Sequence, residues 1–333
     1  MSDFDYRGRN VVVTGAGGFI GGHLVEALLD AGANVRALLR YTSRASRGSL
    51  DLLPKEKAAA VETVYADIRD ADAVRDLLRD ADAVFHLAAL IGIPYSYEHP
   101  QEVIDTNIIG TSNVLLAARE GGRLERVVLT STSEVYGSAR YVPIDEEHPL
   151  QAQSPYSATK IAADALGVSF HRSFGLPVVI VRPFNSYGPR QTARAVIPTI
   201  ISQALAGAKL RLGNLETTRD FTYVSDTVAG FLAAGSAEAT LGEVVNLGTG
   251  REIRIADVVA LVSQIVGRTL EIEADEQRMR PQKSEVTRLC ADSSKAKRLA
   301  GWEARVSVEE GLRYTVEWMS GHQEHFRPEV YAT

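Results

Sequence analysis

Short β-branched runs alternate with longer stretches of helical periodicity through the first half of the chain. Candidate strands are Asn10–Thr14, Val35–Leu39, Val61–Ala66, Ala83–Leu87, Arg126–Ser131 and Val178–Val181. Helical spacing falls between them, near Gly21–Ala31, Ala71–Arg79, Gln101–Glu120 and Pro155–Phe174. Strands separated by helices imply βαβ crossovers and an α/β fold with a doubly wound parallel sheet. After Arg182 the rhythm changes. Val196–Ala206 and Ser225–Ala237 read as helices, with short strands near Leu210 and Phe221. Glu243–Leu247 has the pattern of a strand that returns to the sheet. Helices near Ala256–Val266 and Val308–Met319 complete a smaller C-terminal α/β lobe. The expected division is residues 1–185, joined by 224–248, against a lobe of 186–223 and 249–333.

The first strand runs straight into a glycine turn, Thr14-Gly15-Ala16-Gly17-Gly18-Phe19-Ile20-Gly21. Glycines at 15, 18 and 21 give G-x-x-G-x-x-G; the G-x-G-x-x-G spacing fails because Ile20 takes its last glycine position. Small residues here permit a tight turn and close approach of backbone N–H groups to a pyrophosphate at a helix N-terminus. A dinucleotide cofactor, NAD(P), is therefore expected. The second strand ends Leu39-Arg40-Tyr41-Thr42-Ser43-Arg44, with two arginines and no carboxylate. Arg40, Ser43 and Arg44 suit a 2′-phosphate and lean toward NADP, whereas an Arg40 that only stacks on adenine would leave NAD open. Asp67, after the third strand, suits either the adenine amino group or a turn cap.

The chain has 333 residues, 45% hydrophobic and 23% charged, which is the composition of a water-soluble globular protein with a substantial core. A net charge of −6 without a basic run argues against a nucleic-acid surface. No apolar stretch approaches a membrane span. A single cysteine, Cys290, excludes an intrachain disulfide and fits a cytoplasmic setting. The seven histidines are scattered, and no metal site is assigned.

Tyr156 and Lys160 stand four apart in Ser154-Pro155-Tyr156-Ser157-Ala158-Thr159-Lys160, so a helix places phenol and ammonium on one face. A neighbouring ammonium favours phenolate, which would let Tyr156 exchange a proton with an alcohol near neutral pH. Thr132, Ser133 and Glu134 follow the fifth strand. Glu134 brings a carboxylate that alcohol oxidation alone does not need; its bland alternative is a solvated turn residue.

Taken in order, Thr14–Gly21, His86-Leu87-Ala88-Ala89, Asn107, Thr130–Gly137, Tyr156-x-x-x-Lys160, Arg182–Arg190, Arg219-Asp220-Phe221 and Arg280-Pro281 resemble the extended short-chain dehydrogenase/reductase family. That resemblance implies a Rossmann-like sheet with a substrate lobe, a homodimer packed through the helices near Gln101–Glu120 and Pro155–Phe174, and a nucleotide-diphosphate-sugar substrate. Thr130–Gly137 is most similar to the 4,6-dehydratases. Ile93–Tyr97, Ala195–Pro198 and Arg280–Val286 are similar to the hexosamine 4,6-dehydratases of the legionaminic-acid type. The implied reaction forms a 4-keto-6-deoxy sugar with internal hydride recycling. A 4-epimerase, a sugar-acid decarboxylase or a 5,6-dehydratase on the same scaffold is the alternative. Ser133 stands where glucose-type dehydratases have aspartate, which leaves Glu134 to serve as both base and acid.

The resemblance implies catalysis by Thr132, Ser133, Glu134, Tyr156 and Lys160. It implies cofactor contacts from Gly15, Gly17, Gly18, Phe19, Ile20, Gly21, Ile68, Leu87, Ala88, Ala89, Asn107 and Pro183, besides Arg40, Ser43, Arg44, Asp67, Tyr156 and Lys160. Substrate contacts are expected from Asn185, Arg219 and Arg280, and from Tyr95 and Ser96 in a loop after the fourth strand, unless that loop simply covers core. Arg190 and Val196 complete that set, although for Arg190, as for Arg194, the sequence leaves contact with a second subunit equally open. The alternative for Arg219 is an ion pair with the adjoining Asp220.

Overall fold

The computed structural model describes residues 3–43, 46–207, 209–278, 281 and 284–329. Seven parallel strands form its centre. They are β1 (Asn10–Thr14), β2 (Asn34–Leu39), β3 (Glu62–Tyr65), β4 (Ala83–His86), β5 (Arg126–Thr130), β6 (Val178–Pro183) and, later in the chain, β11 (Val244–Leu247). The spatial order is β11-β6-β5-β4-β1-β2-β3, so the winding direction reverses between β1 and β4. In such a sheet the crevice beyond the carboxyl ends of those two strands is where ligands bind.

Helices cover both faces, which is why the inner strands are apolar at almost every position. In β1 the alternation sends Val11 and Val13 to one face and Val12 to the other. Val11 and Val13 pack with Leu24 and Leu28 of α1 (Phe19–Asp30) and Phe231 of α9 (Val224–Ser236). Val12 packs with Leu77 of α3 (Ala71–Leu78), Leu115 of α6 (Gly110–Gly121) and Phe170 of α7 (Pro155–Phe174). Short α2 (Lys55–Ala60), α4 (Ile93–Glu98) and α5 (Pro100–Ile104) fill the connections.

A separate core joins α8 (Val196–Ala206), α10 (Ile255–Val266) and α12 (Val308–Ser320) through Ile200, Val258 and Leu312. Three two-stranded ribbons surround it. β7 (Asn185–Tyr187) pairs with β10 (Phe221–Tyr223), and β8 (Lys209–Leu212) with β13 (Glu271–Ala274), both parallel. β9 (Thr218–Arg219) pairs antiparallel with β12 (Ile253–Arg254). Ala296 of α11 (Ser294–Ala300) and Trp302 turn back to the large sheet's core, so the segment after 249 feeds both cores.

Two elements differ from the sequence pattern. The helix expected over 101–120 is broken by a π turn at Asp105–Ile109 between α5 and α6. The wide turn buries Asn107, whose amide takes up both the N–H and the C=O of Leu90. The loop expected after β4 carries α4, begun by Pro94 at its first turn.

Candidate active site

The glycine turn is shaped by contacts that exclude side chains. Gly15 has φ +71°, and a Cβ there would lie 2.7 Å from the Ala88 backbone nitrogen. A Cβ on Gly21 would lie 2.2 Å from the Gly15 carbonyl oxygen. The ends of β1 and β4 are thereby pressed together under the crevice. Helix α1 starts at Gly18 with no side-chain cap and no acidic residue in its first turn. Its N–H groups at Phe19 and Ile20 are left for an anion, and this cradle fits the pyrophosphate of a dinucleotide. Gly17 packs against the Arg47 carbonyl, and Leu87, Ala88, Ala89 and Pro183 line the strand ends nearby.

Beneath the cradle runs a buried hydrogen-bonded chain. Ala88 N–H donates to Thr14 Oγ1 at 3.2 Å, and Thr14 lies 2.8 Å from His86 Nδ1. His86 Nε2 lies 3.1 Å from Thr111 Oγ1, which donates to the Asn107 carbonyl at 2.6 Å. These directions assign a neutral imidazole with its proton on Nε2. Burial, and then the charge of Lys160, pull the His86 pKa down to about 3. Asn107 Nδ2 continues to Thr159 Oγ1 at 3.0 Å, which fixes the cradle to the helix that carries Tyr156.

Helix α7 is anchored where the chemistry needs it. Ser154 caps it and forms a capping box with Ser157, and Pro155 occupies the first turn. Tyr156 and Lys160 then fall on the buried face, beside the end of β5. The Thr132 hydroxyl hydrogen-bonds the Tyr156 phenol and caps the 3₁₀ turn Ser133–Tyr136, accepting from Glu134 N–H at 3.2 Å. Glu134 is half-buried, and its charge acts on the Tyr156 oxygen. Ser133 is buried.

The electrostatics correct one expectation. The Tyr156 pKa is pushed up, first by burial and then by Glu134 and Asp164, while Thr132 and Arg194 pull it down. Lys160 is not among the main groups that pull it down, and its ammonium donates to the Thr130 carbonyl. Burial lowers the Lys160 pKa to about 8. A phenolate therefore needs a further positive charge in the cleft, which an oxidised nicotinamide supplies when bound.

Other expected contacts are placed differently. Ser96 is fully buried and donates to the Ile93 carbonyl at 2.7 Å, so its hydroxyl serves α4 rather than a substrate. Tyr95 hydrogen-bonds Glu102 and packs its ring, tilted, against His99. Ile68 is a core side chain, accommodated because Gly110 has no Cβ. Asp67 is engaged by Arg69 through 2.6 and 3.0 Å bonds, the turn-closing alternative. Arg190, at φ 67°, pairs with Glu26 of α1 at 2.9 Å, an ion pair that ties the turn after β7 to α1. Val196 opens α8 and packs against the lobe core. Arg40 is exposed, and its charge acts on Asp67. Ser43 is also exposed. Arg44 and Arg280 lie outside the described residues.

Across the cleft Asn185 presents a buried Oδ1 without a hydrogen-bond partner among the described residues. Arg219 is buried and pairs with Glu285 at 3.4 Å. Its neighbour Asp220 faces away, accepting from Thr249, Gly250 and Ala291. Arg194, which the sequence leaves open between substrate and a second subunit, comes to the phenol. Its guanidinium sits 3.9 Å from where a Gly92 Cβ would be, and its charge acts on the Tyr156 phenol. Among the described residues it has no ion-pair partner. Surrounding protein lowers its pKa although its surface stays open, as in a cleft. Only the tertiary turn after β7 reveals this; its spacing from Tyr156 carries no signal.

Residues 12–315 match the family described as GDP-mannose 4,6 dehydratase. A dTDP-glucose 4,6-dehydratase of Streptomyces antibioticus is 32% identical over 96% of this chain and 95% of its own. The structure of UDP-glucose 4-epimerase from Thermotoga maritima, with UDP-glucose, superposes with TM-score 0.85 at 30% identity, covering 94% of this chain and 99% of that one. UDP-glucuronic acid 4-epimerase from Bacillus cereus, in complex with UDP-glucuronic acid and NAD, gives 0.84 at 30% identity with the same coverage. Among the described residues no helix is long and apolar enough to cross a membrane.

Proposed function

We propose that this chain, which belongs to the nucleotide-sugar-modifying family described as GDP-mannose 4,6 dehydratase, converts an NDP-hexose or NDP-N-acetylhexosamine to its 4-keto-6-deoxy sugar. It is an enzyme built on an NAD-binding Rossmann-like fold. The observation that carries the dehydratase reading is a second proton-handling group, Glu134, whose charge reaches the Tyr156 phenol. An epimerase needs one acid–base group at C4. Elimination of water needs another for C5 and C6.

In this reading Tyr156 accepts the proton of the 4-hydroxyl, with Thr132 bonded to the same oxygen. A bound nicotinamide would supply the hydride chemistry, from C4 and back to C6. The resulting 4-ketone acidifies C5–H. Glu134 removes that proton and passes it to the 6-hydroxyl, which leaves as water; as the hydride reaches C6, C5 takes a proton in its turn, balanced by the one that the 4-hydroxyl gave up to Tyr156. Asn185 and Arg219 hold the diphosphate, and Lys160 the cofactor ribose. Arg40 and Ser43 suit a 2′-phosphate, but the Bacillus cereus relative of known structure is in complex with NAD, and that favours NAD. Exposed Ile104, Ile109, Leu116 and Phe174 on α5–α7 support a homodimer through those helices.

Glu134→Gln tests the reading. Product formation is expected to fall about 10²–10⁴-fold while C4 oxidation persists as a nicotinamide absorbance change. Undiminished 4-keto-6-deoxy product would sink it. The second reading, a 4-epimerase, is favoured by the superposed Thermotoga and Bacillus enzymes. Product mass separates the readings: loss of water, no change, or loss of carbon dioxide for a decarboxylase.

A further inference from the structure

Behind Lys160 lies a buried carboxylate that none of the steps above uses. Asp164 follows Lys160 by four residues on α7, so both side chains occupy one buried face. Ser131 Oγ donates to Asp164 Oδ2 at 2.8 Å, directly before Thr132. Arg182 of β6 reaches the same oxygen with Nε at 3.0 Å and Nη2 at 2.9 Å. The other arm of Arg182 donates to the Tyr136 hydroxyl at 2.9 Å, and Tyr136 donates to Asn246 at 2.7 Å. The carboxylate is thus fixed from β5, β6 and α7 together.

Two cations and one anion share this interior. A buried ammonium whose charge reaches neutral His86 would lose its proton readily; a fixed carboxylate one turn away opposes that. We propose that Asp164 is a positioning residue that keeps Lys160 charged at the pH of catalysis. The other groups facing the pair are Tyr156 and, on the cleft side, Glu134 and Arg194. Glu134 and Arg194 oppose each other at the phenol. Lys160 is drawn down to about 8 by burial, with Asp164 the group that raises it.

The inference rests on the roles assigned to Tyr156 and Lys160, and the test separates the two. The rate of C4 oxidation and the Kd of NAD, by protein fluorescence, are measured from pH 6 to 9.5. Asp164→Asn is expected to move the alkaline limb of the rate down by about one pH unit, leaving roughly a fivefold deficit at pH 8 that shrinks at pH 6.5. Asp164→Glu restores the limb. A uniform loss at every pH, or a limb that does not move, overturns the inference. If Asp164→Asn does not fold, the wild type still decides: its NAD affinity must hold to about pH 8 and fall above it. A fall already complete below pH 7 is overturning. Absence of C4 oxidation by the wild type on every nucleotide sugar would instead remove the underlying assignment of function.

Discussion

Under the cradle, Thr14, His86, Thr111, Asn107 and Thr159 form an unbroken chain of hydrogen bonds. On the opposite wall, Asn185 Oδ1 and the Arg194 guanidinium have no such partners among the described residues. The floor is finished before any ligand arrives. A buried polar network that is fully bonded is rigid, and losing one member strands another, so it suits a part that must not move. The exposed Arg194 guanidinium is held only by water, which a substrate's oxygens can replace at small cost, while the buried Asn185 Oδ1 is left to accept from a substrate hydroxyl. The cofactor side is therefore preorganised, and the substrate side is completed by what binds.

Tyr156 sits at the seam, and its loss breaks the comparison most. Tyr156→Phe should lower C4 oxidation by about 10²–10⁴-fold while NAD affinity changes little. A comparable loss of NAD binding would mean that floor and wall are not separable. Arg194→Gln is next. Without that charge the phenol gives up its proton less readily, so the acid limb of the rate should move to higher pH, with roughly a tenfold loss at pH 7. Arg194→Lys should recover part of it. A change in KM alone, with an unmoved pH profile, would restrict Arg194 to substrate binding.

The smallest effect lies in the floor itself. Unfolded His86 takes up its proton near pH 6.5, and in the folded protein only near pH 3. The unfolded state therefore binds more protons between those values. This stabilisation is whole above pH 6.5 and is lost as pH falls toward 3. His23, lowered to about 4 by burial, adds to the same slope. Melting temperature should drop by roughly 5 °C from pH 6.5 to pH 5, and His86→Gln should flatten the decline even if it lowers the plateau. A melting temperature constant across that window would contradict a buried neutral imidazole.

The parallel sheet was legible because strands buried on both faces are written as unbroken apolar runs, as in Val178–Val181. Elements with no buried face were not. α2 has no buried residue and β13 is exposed throughout, so neither leaves a periodic mark. Within the site, Tyr156 and Lys160 were legible because a helix fixes their spacing. Ser96 and Arg190 misled for the same reason in reverse: type and neighbourhood suggested substrate, while packing sent one into α4 and the other to Glu26.

By itself, the chain's pattern determined the doubly wound sheet, the glycine cradle and the phenol–ammonium pair, all consequences of local periodicity and turn chemistry. Only the tertiary structure decided what surrounds them. Arg194 comes to Tyr156 from 38 positions away, and Asp164 meets Arg182 across a helix–strand contact. Burial and charge act through space, and the spacing along a chain does not record which side chains a fold will bring within a few ångströms of each other.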